Sequence, residues 1–120
     1  MSKSARSLFV FSIYMFVLGI ILLVIPNVLL NLFNFPETNE VWIRVVGMLV
    51  FLVGFYYFRA SKSEMKKFFQ WTVYARTSVL IFFIVFVLLN LAPPILILFG
   101  FIDAVAALWT QLCLRSEQQV

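Results

Sequence analysis

The stretch SLFVFSIYMFVLGIILLVI, residues 7–25, decides the fold: nineteen consecutive residues without a charge, preceded by Lys3 and Arg6. A helix rises about 1.5 Å per residue, so this run covers about 28 Å, close to the roughly 30 Å hydrocarbon core of a bilayer. The two basic residues ahead of it resemble the n-region of a secretory signal. The run is longer than the apolar region of about 7 to 15 residues such signals carry, however, and no small-x-small cleavage pattern follows it. It is expected to be a retained membrane span.

Working outward, three more stretches meet the same length criterion. The expected spans cover residues 7–32, 41–59, 69–91 and 95–114, with a basic loop at 60–68 and a short polar tail. Pro26 lacks an amide donor and clashes with the preceding turn, so residues 27–33 are expected either to continue the first span past a kink or to form an interfacial turn. The loop NFPETNE at 34–40 is polar and acidic and is broken by Pro36. Ser61 and Glu64 have the spacing of a capping box, which predicts a helix starting near Lys62. Ala92-Pro93-Pro94 marks a tight turn before the fourth span.

Composition agrees with this pattern. Of 120 residues, 64% are hydrophobic and 12% are charged, and fifteen are phenylalanine; a water-soluble domain carries roughly 25% charged residues. With a mean hydropathy of +1.07, most side chains must meet lipid. The expected fold is therefore all-α: a single polytopic domain, a four-helix transmembrane bundle.

Orientation is read from lysine and arginine. Lys3, Arg6, Arg59, Lys62, Lys66, Lys67, Arg76 and Arg115 fall on one side of a four-span chain, and the opposite loops carry Glu37 and Glu40 without a basic residue. By the positive-inside bias both termini are expected in the cytoplasm. The net charge of +4 thus reads as topology, and no nucleic-acid partner is expected. Trp42 at one boundary and Trp71, Tyr56, Tyr57 and Tyr74 at the other suit interfacial aromatic belts.

Chemistry-bearing residues are few. The chain has no histidine, and its one cysteine, Cys113, excludes an intrachain disulfide and a multi-cysteine metal site. No catalytic constellation and no identifiable cofactor site stand out, so an enzyme is not the favoured expectation; one would have to rely on Asp103 or Tyr14. A charged residue at mid-span costs about 2.5 to 3.5 kcal/mol on insertion scales and so needs a counterpart, water or a role. Asp103 lies near the middle of the fourth span with Gly100, Ala107 and Thr110 on its face and Gln111 adjacent, a small-residue stripe suited to close helix approach. Arg44 lies one turn inside the second span, followed by Gly47, Phe51 and Gly54 at helical spacings. These complementary stripes lead us to expect an intramembrane Arg44–Asp103 pair. Arg76 is the other candidate counter-charge for Asp103; its favoured reading is a cation snorkelling to anionic headgroups. Asn90, with Asn27, Asn31 and Asn34, is expected to cap helix ends or make polar contacts across helices.

The segment VLLNL at 28–32 recurs at 87–91, and the same shift lays Arg44 on Asp103. Two readings stay open: a duplicated hairpin, or chance in a leucine-rich alphabet.

Leu18-Gly19, Pro26, residues 32–36, Ile43-Arg44-Val-Val-Gly47 and Gly54 together resemble small bacterial four-helix membrane proteins of the DoxX-like kind, over the first half of the chain through Arg59. The resemblance implies a compact four-helix membrane bundle in the bacterial inner membrane, with Arg44 and Gly47 as packing and polar-network positions. Some members of that group are linked to quinone-dependent oxidation of sulfur compounds, but this chain has no redox constellation, so only the fold is carried over. Two functions are weighed. The leading one is a non-catalytic binding or accessory-subunit bundle for a lipid- or quinone-like molecule or a larger membrane complex, surrounded by membrane lipids. The alternative is a small homo-oligomeric proton-coupled transporter using Asp103.

Overall fold

The computed structural model describes residues 1–118. Among these all regular structure is α-helix: α1 (Lys3–Val24), α2 (Pro26–Leu32), α3 (Trp42–Lys62), α4 (Lys66–Leu88) and α5 (Leu96–Gln118). Four of the helices, all but α2, are long and apolar enough to cross a membrane. At 21 to 23 residues each extends over about 32 to 35 Å at 1.5 Å per residue. No more than 33% of any spanning window is buried inside the protein. Valine, leucine, isoleucine and phenylalanine therefore cover the outward faces, which is stable only against hydrocarbon.

Helix boundaries sharpen the expected spans. The first span ends at Val24, because Pro26 cannot donate to the carbonyl four residues back; the chain turns at Ile25 and restarts with Pro26 in the first turn of α2, where a missing amide costs nothing. The expected continuation to residue 32 is thus a separate seven-residue helix. The last helix runs to Gln118 rather than ending at 114, and only the final two residues of the expected polar tail lie outside the described residues. The capping box at Ser61 does not form. Ser61 is buried inside α3, and Glu64 adopts a left-handed conformation with φ 53° just beyond its end. Met65 N–H closes on Ala60 C=O at 3.2 Å, the long return bond of a Schellman-type stop.

The same stop ends two other helices, with asparagine at the left-handed position. Asn34 (φ 61°) follows α2, with Phe35 N–H on Leu30 C=O at 2.8 Å, and Asn90 (φ 60°) follows α4, with Leu91 N–H on Phe86 C=O at 2.9 Å. Asparagine tolerates this region better than other residues with a Cβ. The two VLLNL segments therefore differ in structure. Asn31 lies inside α2, whereas its sequence counterpart Asn90 lies beyond the end of α4.

The chain divides into two compact units. One, Phe9–Arg59, holds most of α1, with α2 and α3. Here Gly19 and Gly47 bring the helix backbones together. A Cβ on Gly47 would stand 2.8 Å from Leu22 Cβ and from Leu23 N, and one on Gly19 would stand 2.8 Å from Phe51 N. Small residues at this crossing admit close packing, which is how helices associate in lipid without a hydrophobic driving force. Phe16 packs on Phe51 and Phe58, with ring centroids 5.1 and 6.1 Å apart, and Phe11 packs on Tyr57 at 5.9 Å.

The other unit joins Met1–Leu8, the first turns of α1, to the chain from Ala60 onward. In it α4 packs along α5. Gly100 lies against Leu80, where an added Cβ would come within 2.9 Å of Leu80 Cα, and Ala107 is fully buried. The small-residue stripe expected on α5 thus meets α4.

Candidate functional site

The polar interior of the α4–α5 unit is built on Arg76. It lies in the third turn of α4 and is 3% exposed. Its Nη2 donates to Thr110 Oγ1 at 3.0 Å and to Thr72 Oγ1 at 3.2 Å, and its Nε donates to Thr72 C=O at 3.3 Å. The expected snorkelling of Arg76 to headgroups is therefore corrected: the guanidinium turns inward. The reason is that hydroxyls one turn back on α4 and across on α5 engage its Nη2, and the Thr72 carbonyl engages its Nε. Such hydrogen bonding offsets the desolvation of a buried cation, which would otherwise be prohibitive.

Thr110 is the hub. It is fully buried, and its hydroxyl accepts from Arg76, exchanges a bond with Ser7 Oγ at 2.8 Å and donates to Ala106 C=O at 3.2 Å. Ser7 in turn donates to Ser4 C=O at 2.7 Å. One layer further on, Ser4 donates through its amide and hydroxyl to Glu117 at 3.0 and 2.7 Å, and Lys66 forms an ion pair with the same carboxylate. Glu117 thus caps an amide in the first turn of α1, where a negative charge also meets the positive end of the helix dipole. Ser2 is the N-cap proper. Its hydroxyl accepts from Ala5 N–H at 3.1 Å and donates to Glu64 at 2.6 Å, while its amide donates to the same carboxylate at 2.8 Å. These two bonds from Ser2 hold the Glu64 carboxyl below its ordinary value, with a smaller contribution from Lys66.

Asp103 lies two turns before Thr110 on the same helix and is half-buried. Gln111, next to Thr110 on α5, accepts from Gln70 of α4 at 2.7 Å.

Arg44 belongs to the other unit. Its Nη1 donates to Leu23 C=O, and to Val24 C=O at 3.3 Å. Those carbonyls close α1, and the break at Pro26 leaves them without helical donors. Arg44 therefore caps the negative end of α1, a stabilising place for a cation. Gly47 and Gly54 lie on the same face of α3 and meet α1, Gly54 facing Met15 and Phe16. Asn27 and Asn31 hold the following loop, accepting from Thr38 N–H at 3.0 Å and donating to Glu37 respectively. Asn90 serves as a helix stop.

Ser4, Ser7, Thr72, Lys66 and Glu117 were not among the sequence candidates. One signal was available: serines at positions 4 and 7 share a helical face at the start of an otherwise apolar run. Among the described residues no cluster of histidine, cysteine and carboxylate side chains could hold a metal ion.

The fold and this centre define a polytopic α-helical membrane protein with a charged, hydrogen-bonded interior in one helical hairpin. No family model, curated protein or solved structure matches the chain.

Proposed function

We propose that the chain is a non-catalytic integral membrane protein whose α4–α5 hairpin holds the polar end of a lipid- or quinone-like amphiphile, alone, as a homo-oligomer or as accessory subunit of a larger membrane complex. The observation that carries this reading is a buried, fixed cation on α4 together with a half-buried carboxylate on the neighbouring α5. Arg76 is buried and held by Thr72 and Thr110, while Asp103, two turns before Thr110, is only half-buried. A polar group with an open face at membrane depth is expensive unless something polar meets it. A headgroup, hydroxyl or quinone carbonyl entering sideways from the bilayer meets that requirement. The topology proposed with it puts both termini in the cytoplasm of a bacterial inner membrane, supported by the bias of basic residues and by the DoxX-like resemblance.

Native mass spectrometry of protein released from mild detergent tests the reading. Wild type is expected to carry a bound amphiphile that is depleted in Asp103→Ala. Equal occupancy in the two proteins at equal thermal stability overturns it.

The exposure of Asp103 also favours a second reading, a small proton-coupled transporter in which this carboxylate carries the proton. Substrate-driven proton release from solubilised protein that disappears in Asp103→Asn would select it.

A further inference from the structure

An open cleft of about 430 Å³ lies at the end of the hairpin where α4 begins and α5 ends, lined by Lys66, Lys67, Gln70, Leu114 and Glu117. It lies beyond the Arg76 centre, at the far end of the hydrogen bonds through Ser7, Ser4 and Glu117, and stands whichever occupant that centre takes. We propose that this cleft binds the phosphate headgroup of an anionic phospholipid, with Lys67 as its principal cation.

Charge argues for an anion. Among the described residues, Lys62, Lys66, Lys67 and Arg115, where α3 and α5 end and α4 begins, stand against two carboxylates, Glu64 and Glu117. Both carboxylates are already engaged by the start of α1. Glu64 accepts twice from Ser2, and Glu117 accepts twice from Ser4 and once from Lys66. Each is thereby turned toward the helix it caps, and the cationic field at the mouth of the cleft is left in excess. Gln70 gives the cleft a polar wall; its amide nitrogen is fixed by Gln111.

Position argues for a lipid over a free anion. Trp71 and Tyr74, on the next turns of α4, are 63% and 67% exposed, about 6 and 10.5 Å along the axis from Lys67 at 1.5 Å per residue. Exposed tryptophan and tyrosine settle at headgroup level, so the cleft opens into that layer. Leu114 supplies an apolar wall against which the glycerol and first acyl carbons can lie. Each lysine near a bilayer surface strengthens attraction to an anionic lipid about fivefold.

The test uses the full chain in neutral detergent, with melting temperature followed as dioleoyl phosphatidylglycerol or dioleoyl phosphatidylcholine is added. Wild type is expected to be stabilised at lower concentrations of phosphatidylglycerol than of phosphatidylcholine. Lys67→Gln should shift the phosphatidylglycerol midpoint about fivefold upward and leave the lipid-free melting temperature unchanged. Lys62→Gln, which lies outside the cleft wall, should shift it less. Equal midpoints for Lys67→Gln and wild type overturn the proposal, and so do equal shifts in the two lysine variants. Stabilisation by inorganic phosphate at the same concentrations as phosphatidylglycerol overturns the assignment to a lipid.

Discussion

Replacing Thr110 by valine keeps the volume of a fully buried side chain and removes the hydroxyl that joins three helices. The change deletes the 3.0 Å bond from Arg76 and the 2.8 Å bond with Ser7. A hydrogen bond to a charged group contributes about 1.5 to 3 kcal/mol in soluble proteins. Interhelical bonds in membranes average about 0.6 kcal/mol with a maximum near 1.7, because side chains in the unfolded, inserted state find other acceptors. Arg76 keeps its two bonds to Thr72, so the membrane scale governs. Two interhelical bonds at about 0.6 to 1.7 kcal/mol each give a loss of about 1.2 to 3.4 kcal/mol. Equilibrium unfolding in mixed micelles, followed by loss of helical circular dichroism, measures it. Adding Arg76→Met should recover part of the loss, since no buried guanidinium is then left facing the place of the missing hydroxyl. A Thr110→Val protein within about 0.5 kcal/mol of wild type, the range of a neutral surface change, would refute the reasoning. So would a double variant whose loss equals the sum of the single losses.

Three further outcomes are expected. Gly47→Ala should destabilise by about 1 to 3 kcal/mol, the usual cost of overpacking, because its new Cβ meets Leu23 backbone nitrogen at 2.8 Å; Gly54→Ala should cost less, because its nearest neighbour is Met15 Cβ at 3.1 Å. The same unfolding assay separates them. Arg44→Gln should remove a cation from the end of α1 and cost about 1 to 2 kcal/mol, with amide exchange rising at the last turn of α1 before elsewhere. The Glu64 carboxyl is lowered by the bonds from Ser2, so its contribution is fully present above its ordinary value near 4.5 and is lost as pH falls through its lower folded value. Glu64→Gln should therefore flatten the acid limb of a stability profile measured between pH 6 and 3.

The spans were legible in the sequence because a single physical requirement, enough apolar length to cross hydrocarbon, sets them. Pro26 and the asparagine stops at positions 34 and 90 were legible for similar local reasons, being residues with special backbone behaviour. What failed was reasoning that used local spacing to predict partners chosen across the fold. The Ser61–Glu64 spacing fits a capping box, but α3 runs on through Lys62, and the Glu64 carboxylate goes to Ser2, 62 residues away. Arg76 has the position of a snorkelling residue, and its inward turn depends on Thr110, 34 residues further along. Thr72, one turn back, is the one local feature that supports it. The α5 stripe with Gly100 meets α4, and the α3 stripe of Gly47 and Gly54 meets α1, not the α5 stripe it was expected to complement; helical periodicity places small residues on one face but does not choose the helix that packs there.

The most direct test of the account is a sidedness map of a Cys113→Ser protein carrying single cysteines at Asn39, Ser63 or Ala92, labelled in intact cells by a membrane-impermeant maleimide. Four spans with cytoplasmic ends predict that the cysteines at 39 and 92 react in intact cells and that the cysteine at 63 reacts only after permeabilisation. Labelling of positions 39 and 63 from the same side would contradict it.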